Sequence, residues 1–476
     1  MKNKKKYSYI DLFAGAGGLT IGFGNNGFHL EIANDIAEPA LNTFKRNLKQ
    51  THPETNINRV ILGDIKELYE HLGNGQVVYN LQGHMTIETN KESELRKKAP
   101  SIKDDSSVRE LLSSIENVDV LVGGPPCQGF SMIGRSKKAT LEERTKGFID
   151  DPRNQLFKYY LKFAEKLSPK LVLIENVKGL ASASAYRELI EESLKDTGEF
   201  GYDTSSCVLN AKDFGLAQSR ERIFFIGVRK DLYQKYNVEA SSIFEEINKS
   251  KKEPLKLKDV IFDLPQIKAN PKPNNYKEEA EIPFSRIKTS FGKNISDEAY
   301  CELLNKEKSS RYLNLINTYK GRLITPRYLF NHKSRYHNER DLFIYKNLVA
   351  GKYLNNPINK KALSKVTYGV FIDKEGIKKV KGFGDKYFKL DPENVSKTVI
   401  AHLETDGNSY VHPGKFPRSI TPREAARIQS FPDWYFFTGS TRNQFKQIGN
   451  AVPPILGSVF AEHFKNVLDL IEVDAK

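Results

Sequence analysis

Cysteine is scarce in this chain: Cys127, Cys207 and Cys301 are the only three in 476 residues, an odd number without CxxC spacing. That argues against a disulfide framework and against a thiolate zinc site, no other metal centre is suggested, and a reducing compartment is implied. Long apolar runs are missing too. No stretch approaches membrane-spanning length, and the basic start Met1-Lys2-Asn3-Lys4-Lys5-Lys6 leads into Tyr-Ser-Tyr and Asp11 rather than an apolar signal core. A cytoplasmic protein without a membrane span is expected. No internal repeat is present. Acidic residues are outnumbered, 59 Asp and Glu against 74 Lys and Arg, for a formal net charge of +15. This excess favours a polyanionic partner such as nucleic acid. The remaining composition, 39% hydrophobic and 28% charged, is that of a globular protein long enough for more than one domain.

The first third alternates short apolar runs with helix-like segments: residues 7–12, a Gly-rich turn, residues 30–33, then 40–48. This is the rhythm of a parallel α/β sheet. Further strands are predicted at 59–62, 118–122, 171–174 and 223–228, with a helix over about 154–167, which together make a doubly wound sheet. Residues 66–117 read as an insertion rich in Gly, Asn, Lys and Ser. From about 249 to 397 the composition turns to Lys, Asn, Pro and Tyr, which predicts a second, smaller and irregular domain. Beyond it, Thr421-Pro422-Arg423-Glu424 carries the chemistry of a helix start. A last helix is predicted from 454 to about 468, with Leu456, Val459, Phe460, Phe464 and Val467 on one face, packed back on the first domain. The expected domains are residues 1–248 (insertion 66–117), 249–417, and a returning part 418–476.

Several segments carry chemistry. Asp11-Leu12-Phe13-Ala14-Gly15-Ala16-Gly17-Gly18-Leu19 joins a predicted strand to a helix, so its glycines allow a tight turn and its amides face a ligand. The dinucleotide fingerprint is not met, since its third glycine would fall on Thr20. Asp35, one strand later, suits ribose hydroxyls, and Asp64-Ile65 after the third strand suits an adenine edge and face. Gly123-Gly124-Pro125-Pro126-Cys127-Gln128-Gly129-Phe130-Ser131 puts a lone thiol on a proline-stiffened turn. It is either aimed at a substrate or a buried structural cysteine. Glu175-Asn176-Val177 ends the run 171–174, on the same sheet edge as Cys127 if both strands are parallel; alternatively the pair caps the next helix. Gln218-Ser219-Arg220-Glu221-Arg222 offers two guanidinium groups to carbonyl or phosphate oxygens, or forms a surface Arg/Glu pair.

In order, DLFAGAGGL, GGPPCQGFS, ENVKGL, QSRERIFFIGVR, RSITPREAARIQSFPD and QIGNAVPP strongly resemble the motifs of the bacterial cytosine-C5 DNA methyltransferase family. The resemblance covers residues of about 7–230 and 418–470, and the insertion between Asp64 and Cys127 departs from compact members. It implies a Rossmann-like methyltransferase sheet and a target-recognition domain between QSRER and the TPREAAR region. It also implies S-adenosylmethionine as methyl donor, with S-adenosylhomocysteine as product. Cys127 and Glu175 are implied as catalytic, with Arg222 at the base O2 and Arg220 supporting the site. Phe13, Ala14, Gly15, Gly17, Gly18, Asp35, Asp64, Ile65, Pro126, Leu156, Asn450 and Val452 are implied around the methyl donor, and Gln128, Ser131 and Thr398 on DNA. His332, Arg335, His337, Asn338 and Asp341 resemble a segment that precedes the recognition domain in many members.

The chemistry agrees with that implication. Cytosine C5 is a poor carbon nucleophile, so a thiolate must first add at C6, while protonation or hydrogen bonding at N3 stabilises the developing charge. A base inside a duplex must be flipped out to be reached. The expected partner is double-stranded DNA, with a separate restriction endonuclease in a restriction-modification system, and the expected state is monomeric. An RNA cytosine methyltransferase is an alternative, against which the large second domain and the missing Cys-Phe-Thr motif of tRNA-directed relatives both speak. A nicotinamide dehydrogenase accounts for the Gly-rich turn but not for PPCQ or ENV. A catalytically silent DNA-binding module would not need Cys127 and Glu175.

Overall fold

A computed structural model describes residues 7–72, 100–103, 105–115, 117–126, 155–180, 184–271, 310–324, 329–366, 370–372, 378–380 and 386–473. The chain forms two compact units, one of residues 1–210, 221–251 and 454–476, the other of 211–220 and 252–453. Residues 418–453 thus group with the second unit and only the final helix with the first.

The first unit is built on strands β1 (Ser8–Leu12), β2 (His29–Asp35), β3 (Val60–Leu62), β4 (Val120–Gly123), β5 (Leu171–Val177), β6 (Tyr202–Asn210) and β8 (Glu221–Arg229), while the two-residue β7 (Gln218–Ser219) belongs to the second unit. The sheet runs β3-β2-β1-β4-β5-β8-β6. The pairs from β3 through β5 are parallel, whereas β8 runs antiparallel to both β5 and β6. The first unit is therefore α/β. Every residue of β1 and β4 is buried, as central strands covered on both faces require. Strand β6 has no signature in the sequence, because it is a polar edge strand in which only Tyr202 and Leu209 are buried. The antiparallel direction of β8 likewise has no signature in the sequence, which predicts the strand at 223–228 but not its direction.

Helices α1 (Gly18–Asn25), α2 (Glu38–Thr51) and α3 (Ile65–Leu72) follow the first three strands, and Gln155–Leu167 lies between β4 and β5. Helix α1 contains Gly18, Gly22 and Gly24, residues that weaken an isolated helix. Packing explains Gly22: a Cβ there would lie 2.2 Å from the Gly457 carbonyl carbon, so α1 and the final helix Pro454–Val473 meet backbone to backbone. Phe460 and Phe464 of that helix pack on Phe224 and Phe23, which accounts for its apolar face.

The second unit is irregular and depends on buried charge. Thr421 caps the helix Pro422–Ile428 in a reciprocal box with Glu424, as the sequence predicts. Glu424 also takes a bidentate pair from Arg418 (2.7 and 2.6 Å). Burial alone would raise this carboxyl, but His412 and Arg418 hold it well below the usual carboxylate range. Arg427 grips Asp433 (2.7 and 2.9 Å), and Arg423 donates to the carbonyls of Phe330, Pro432 and Tyr435. Among the described residues, no helix is long and apolar enough to cross a membrane.

Two tests follow from the first unit. Gly22→Ala should lower stability by about 1–3 kcal/mol in denaturant unfolding, because neither helix backbone can yield. Asp11, wholly buried in β1, receives the Thr20 hydroxyl at 2.6 Å. Burial pushes its carboxyl up to about 7, the Thr20 hydrogen bond opposing the shift and the Asp35 charge adding to it. Between the ordinary value of 3.8 and about 7 only the folded chain keeps this proton. Its contribution therefore costs stability as pH rises through that window, and the full cost is present above it. Asp11→Asn should raise Tm at pH 8 relative to the parent and leave it nearly unchanged at pH 4. Equal effects at both values would remove Asp11 as the source.

Candidate active site

The sheet order reverses between β1 and β4, so the crevice beyond their carboxyl ends is where an open α/β sheet takes a ligand. The loop leaving β1 is shaped for close approach. Phe13 (φ 60°), Gly15 (φ 54°) and Gly17 (φ 77°) all have left-handed backbone, which is costly for Phe13. Asp35, last in β2, accepts the Gly15 amide on Oδ2 (2.8 Å) and the Ala37 amide on Oδ1 (2.7 Å), so its carboxylate is oriented by two N–H groups. Ala14 donates its amide to the Asn34 carbonyl (2.9 Å), tying the loop to the end of β2. Asp64 accepts the Lys66 amide at 2.9 Å at the start of α3. The Ile65 side chain is buried in the core, so it packs α3 rather than standing open. Gly18 is buried in the first turn of α1.

At the end of β4, Gly123 lies between Leu12 of β1 and Ile174 of β5. A Cβ on Gly123 would meet the Leu12 carbonyl oxygen at 2.6 Å, and one on Gly124 would come within 3.2 Å of Glu175 Oε2. The paired glycines thus leave room for the sheet and for this carboxylate. Glu175, near the end of β5, forms an ion pair with Arg222 Nε at 3.0 Å, and both side chains are largely buried, at 12% and 15% exposure. Antiparallel pairing makes this possible, since it sets Arg222 opposite Val177. Arg222 Nη1 donates to the Glu221 carbonyl (2.8 Å). Asn176 donates to the Pro125 carbonyl (3.2 Å), which ties the two-proline turn to β5. Pro126 is half-buried, and Leu156 packs against the core from the first turn of Gln155–Leu167. Cys127, Gln128 and Ser131 lie outside the described residues, as do Cys301 and most of the 66–117 insertion.

The second unit holds the other expected residues. Arg220 is buried, donating to the Val399 carbonyl (2.9 Å) and the Gly449 carbonyl (3.2 Å), so it fastens the chain at Val399 to the last turn of the helix Thr441–Asn450 in its own unit. Gly449 is needed there because a Cβ would meet the Ile400 carbonyl carbon at 2.3 Å. Asn450 is exposed at the end of Thr441–Asn450, and Val452 is buried. Thr398 donates its hydroxyl to the Ser219 carbonyl (2.6 Å). In the segment around His332, side chains serve the fold: His332 bridges the Pro265 carbonyl and Thr421, Asn338 caps Glu339–Asn347, and Asp341 accepts from Tyr387. His337 accepts the Ser419 amide (3.2 Å), and burial, aided by Arg335 and Arg418, pushes it down to about 4. Sequence reasoning missed the anchoring by Asn176 and the pairing of Asp11 with Thr20; the latter had its signal in the displaced glycine position. Among the described residues, no group of three or more His, Cys, Asp or Glu is arranged to hold a metal ion.

Residues 7–72 and 85–466 match the C-5 cytosine-specific DNA methylase family. The Type II methyltransferase M.AgeI of Thalassovita gelatinovora is 31% identical over 96% of this chain and 98% of its own length. The Type II methyltransferase M.Bpa9945I of Bacillus paralicheniformis is 28% identical over 97% and 99%. A crystal structure described as a prophage-encoded DNA modification methyltransferase from E. coli superimposes with a TM-score of 0.62 at 23% identity, over 98% of this chain and 100% of that one, a likeness of fold. The chain belongs to the C-5 cytosine-specific DNA methylase family and is a DNA cytosine methyltransferase.

Proposed function

We propose that the enzyme methylates C5 of a cytosine flipped out of a specific duplex sequence, as the modification enzyme of a restriction-modification system. The observation that carries the reading is the Glu175–Arg222 pair at the end of β5, one parallel strand from the Pro125-Pro126 turn that leads to Cys127. In this reading the Cys127 thiolate adds to C6 of the flipped base, and its electron pair forms the S–C6 bond. Glu175, once it has taken a proton from solvent, gives that proton or its hydrogen bond to N3 as charge develops there and receives it back when the ring is restored, and Arg222, already holding Glu175, turns its remaining N–H groups to O2. S-adenosylmethionine, when bound, supplies the methyl group that C5 takes up. Loss of the C5 proton to a base then expels the Cys127 thiolate and restores the ring. Phe13, Gly15, Asp35 and Asp64 are the residues we assign to holding the methyl donor; the left-handed loop and the oriented Asp35 carboxylate support that assignment.

We further assign sequence reading to residues 249–397, since base edges must be read by side chains outside the catalytic pocket. Thr398 is assigned to the DNA backbone. The +15 charge suits a phosphate-lined partner.

Cys127→Ser should abolish methyl transfer while duplex binding persists, because a hydroxyl is a far weaker nucleophile at neutral pH. A duplex with 5-fluorocytosine at the target has no C5 proton to lose, so in the presence of S-adenosylmethionine it should stay covalently joined to Cys127. Glu175→Gln should slow formation of that adduct by roughly 10²–10⁴-fold. Denaturing gels with mass spectrometry of the cross-linked peptide check these outcomes, and a cross-link at Cys207 or Cys301 would overturn the mechanism. Exchanging residues 249–397 for those of a relative should change the methylated sequence in bisulfite sequencing; an unchanged site would move recognition elsewhere.

A further inference from the structure

Residues 342–366 hold five lysines and no Asp or Glu, in a chain with 59 acidic residues among 476. All five lysines are exposed, and they stand on a built scaffold. The helix Glu339–Asn347 packs against Lys360–Leu363 over a core of Ile344, Leu348, Leu354, Ala362, Leu363 and Val366. The buried Asn359 fastens the turn between them, accepting the Val349 amide (2.9 Å) and donating to the Tyr353 carbonyl (2.8 Å).

Three of the lysines form a row on this scaffold. The Lys365 ammonium lies over the Phe343 ring, 5.6 Å from its centroid. Phe343 and Lys346 are three apart on one helix and share a face, which brings Lys346 beside Lys365. The chain stays helical past Leu363, with Ser364 in the right-handed region and the Lys365 amide bonded to the Ala362 carbonyl (3.4 Å), so Lys361 and Lys365 lie one turn apart. Among the described residues no carboxylate pairs with any of the three, and a ring face attracts a cation without neutralising it. Like charges placed this way repel. By contrast, Lys256 and Lys258 share Glu393 (3.0 and 2.7 Å), and Asp341, the nearest acid before the row, is held by Arg340 (3.2 Å) and Tyr387 (2.9 Å). A fixed row of ammonium groups is complemented by a fixed row of anions, and double-stranded DNA supplies one in the closely spaced phosphates of each strand.

We infer that Lys346, Lys361 and Lys365 form a phosphate-docking surface for duplex DNA, which positions the second unit on its partner and reads no base. The inference rests on the reading of the enzyme as acting on duplex DNA, and it adds where that duplex is gripped. Each phosphate neutralised by a lysine contributes about 0.9 to the slope of log K against log salt. In the full chain, Lys361→Gln/Lys365→Gln should lower that slope by about 1.8 and weaken binding alike for target and non-target duplexes. The advantage of the parent protein should accordingly shrink roughly tenfold between 50 and 200 mM salt. Lys346→Gln should lower the slope by about 0.9 on its own. Lys256→Gln/Lys258→Gln removes the same net charge from a site already matched by Glu393, and should keep the parental slope. Tm of the first double variant should not fall, because a repulsion is removed.

Fluorescence anisotropy of a labelled duplex across salt reads these variants, with Tm measured alongside. An unchanged slope in Lys361→Gln/Lys365→Gln overturns the inference, as does an equal fall in Lys256→Gln/Lys258→Gln, which would make net charge the cause. Should the first double variant fail to fold, Lys346→Gln decides, and a parental slope there overturns the row. A slope that falls for RNA of the same length and not for the duplex gives the surface to another partner and overturns the inference too. A parent protein that binds no duplex overturns the functional reading itself, a failure visible before any variant is made.

Discussion

The parallel pairing of β4 with β5 is the constraint from which the proposed chemistry derives. Four consecutive residue pairs, ending with Gly123 opposite Ile174, bring the ends of two buried strands to one edge of the sheet. Whatever follows β4 is then beside whatever ends β5. The chain uses this by ending β4 in Gly123, following it with Gly124 and two prolines, and by placing Glu175-Asn176 just before the last residue of β5. Without a side chain on Gly124, the carboxylate of Glu175 has space, and Asn176 holds the Pro125 carbonyl. A slip of one residue in this register would turn Glu175 to the opposite face of the sheet.

The antiparallel strand β8 completes the arrangement. Because it enters the sheet where β5 leaves it, its first residues lie at the same edge, and the Arg222 guanidinium reaches Glu175. A parallel strand at that place would have carried Arg222 to the far end of the sheet. Removing either partner of such a largely buried pair leaves the other charge poorly solvated, a cost that exceeds the net worth of the pair itself. The pair therefore orients the carboxylate more than it stabilises the fold.

Charge has a second structural use away from this edge. Arg418, Arg423 and Arg427 are among the most deeply buried side chains, each matched by carboxylates or carbonyls around one short helix. In a unit poor in regular secondary structure, these directional contacts fix loops that apolar packing alone would leave interchangeable. A basic composition is therefore not simply a measure of charge offered to DNA, since part of it is consumed inside the protein.

Much of this was legible in the amino-acid sequence. The apolar runs of β1, β4 and β5, the Gly-rich turn after β1, the capping box at Thr421 and the apolar face of the last helix are all local patterns, and local patterns survive in one dimension. The motif series, read in order, indicated the family, and the composition marked where the irregular segment begins. Strand β6 was not legible, because an edge strand needs no apolar alternation. The direction of β8 was not either, since an apolar run reads alike both ways. Tertiary structure alone decided that Arg222 would meet Glu175 and that Gly22 would be pressed against Gly457. Each joins residues far apart in sequence, and such meetings depend on strand order and packing, which no window of neighbouring residues contains.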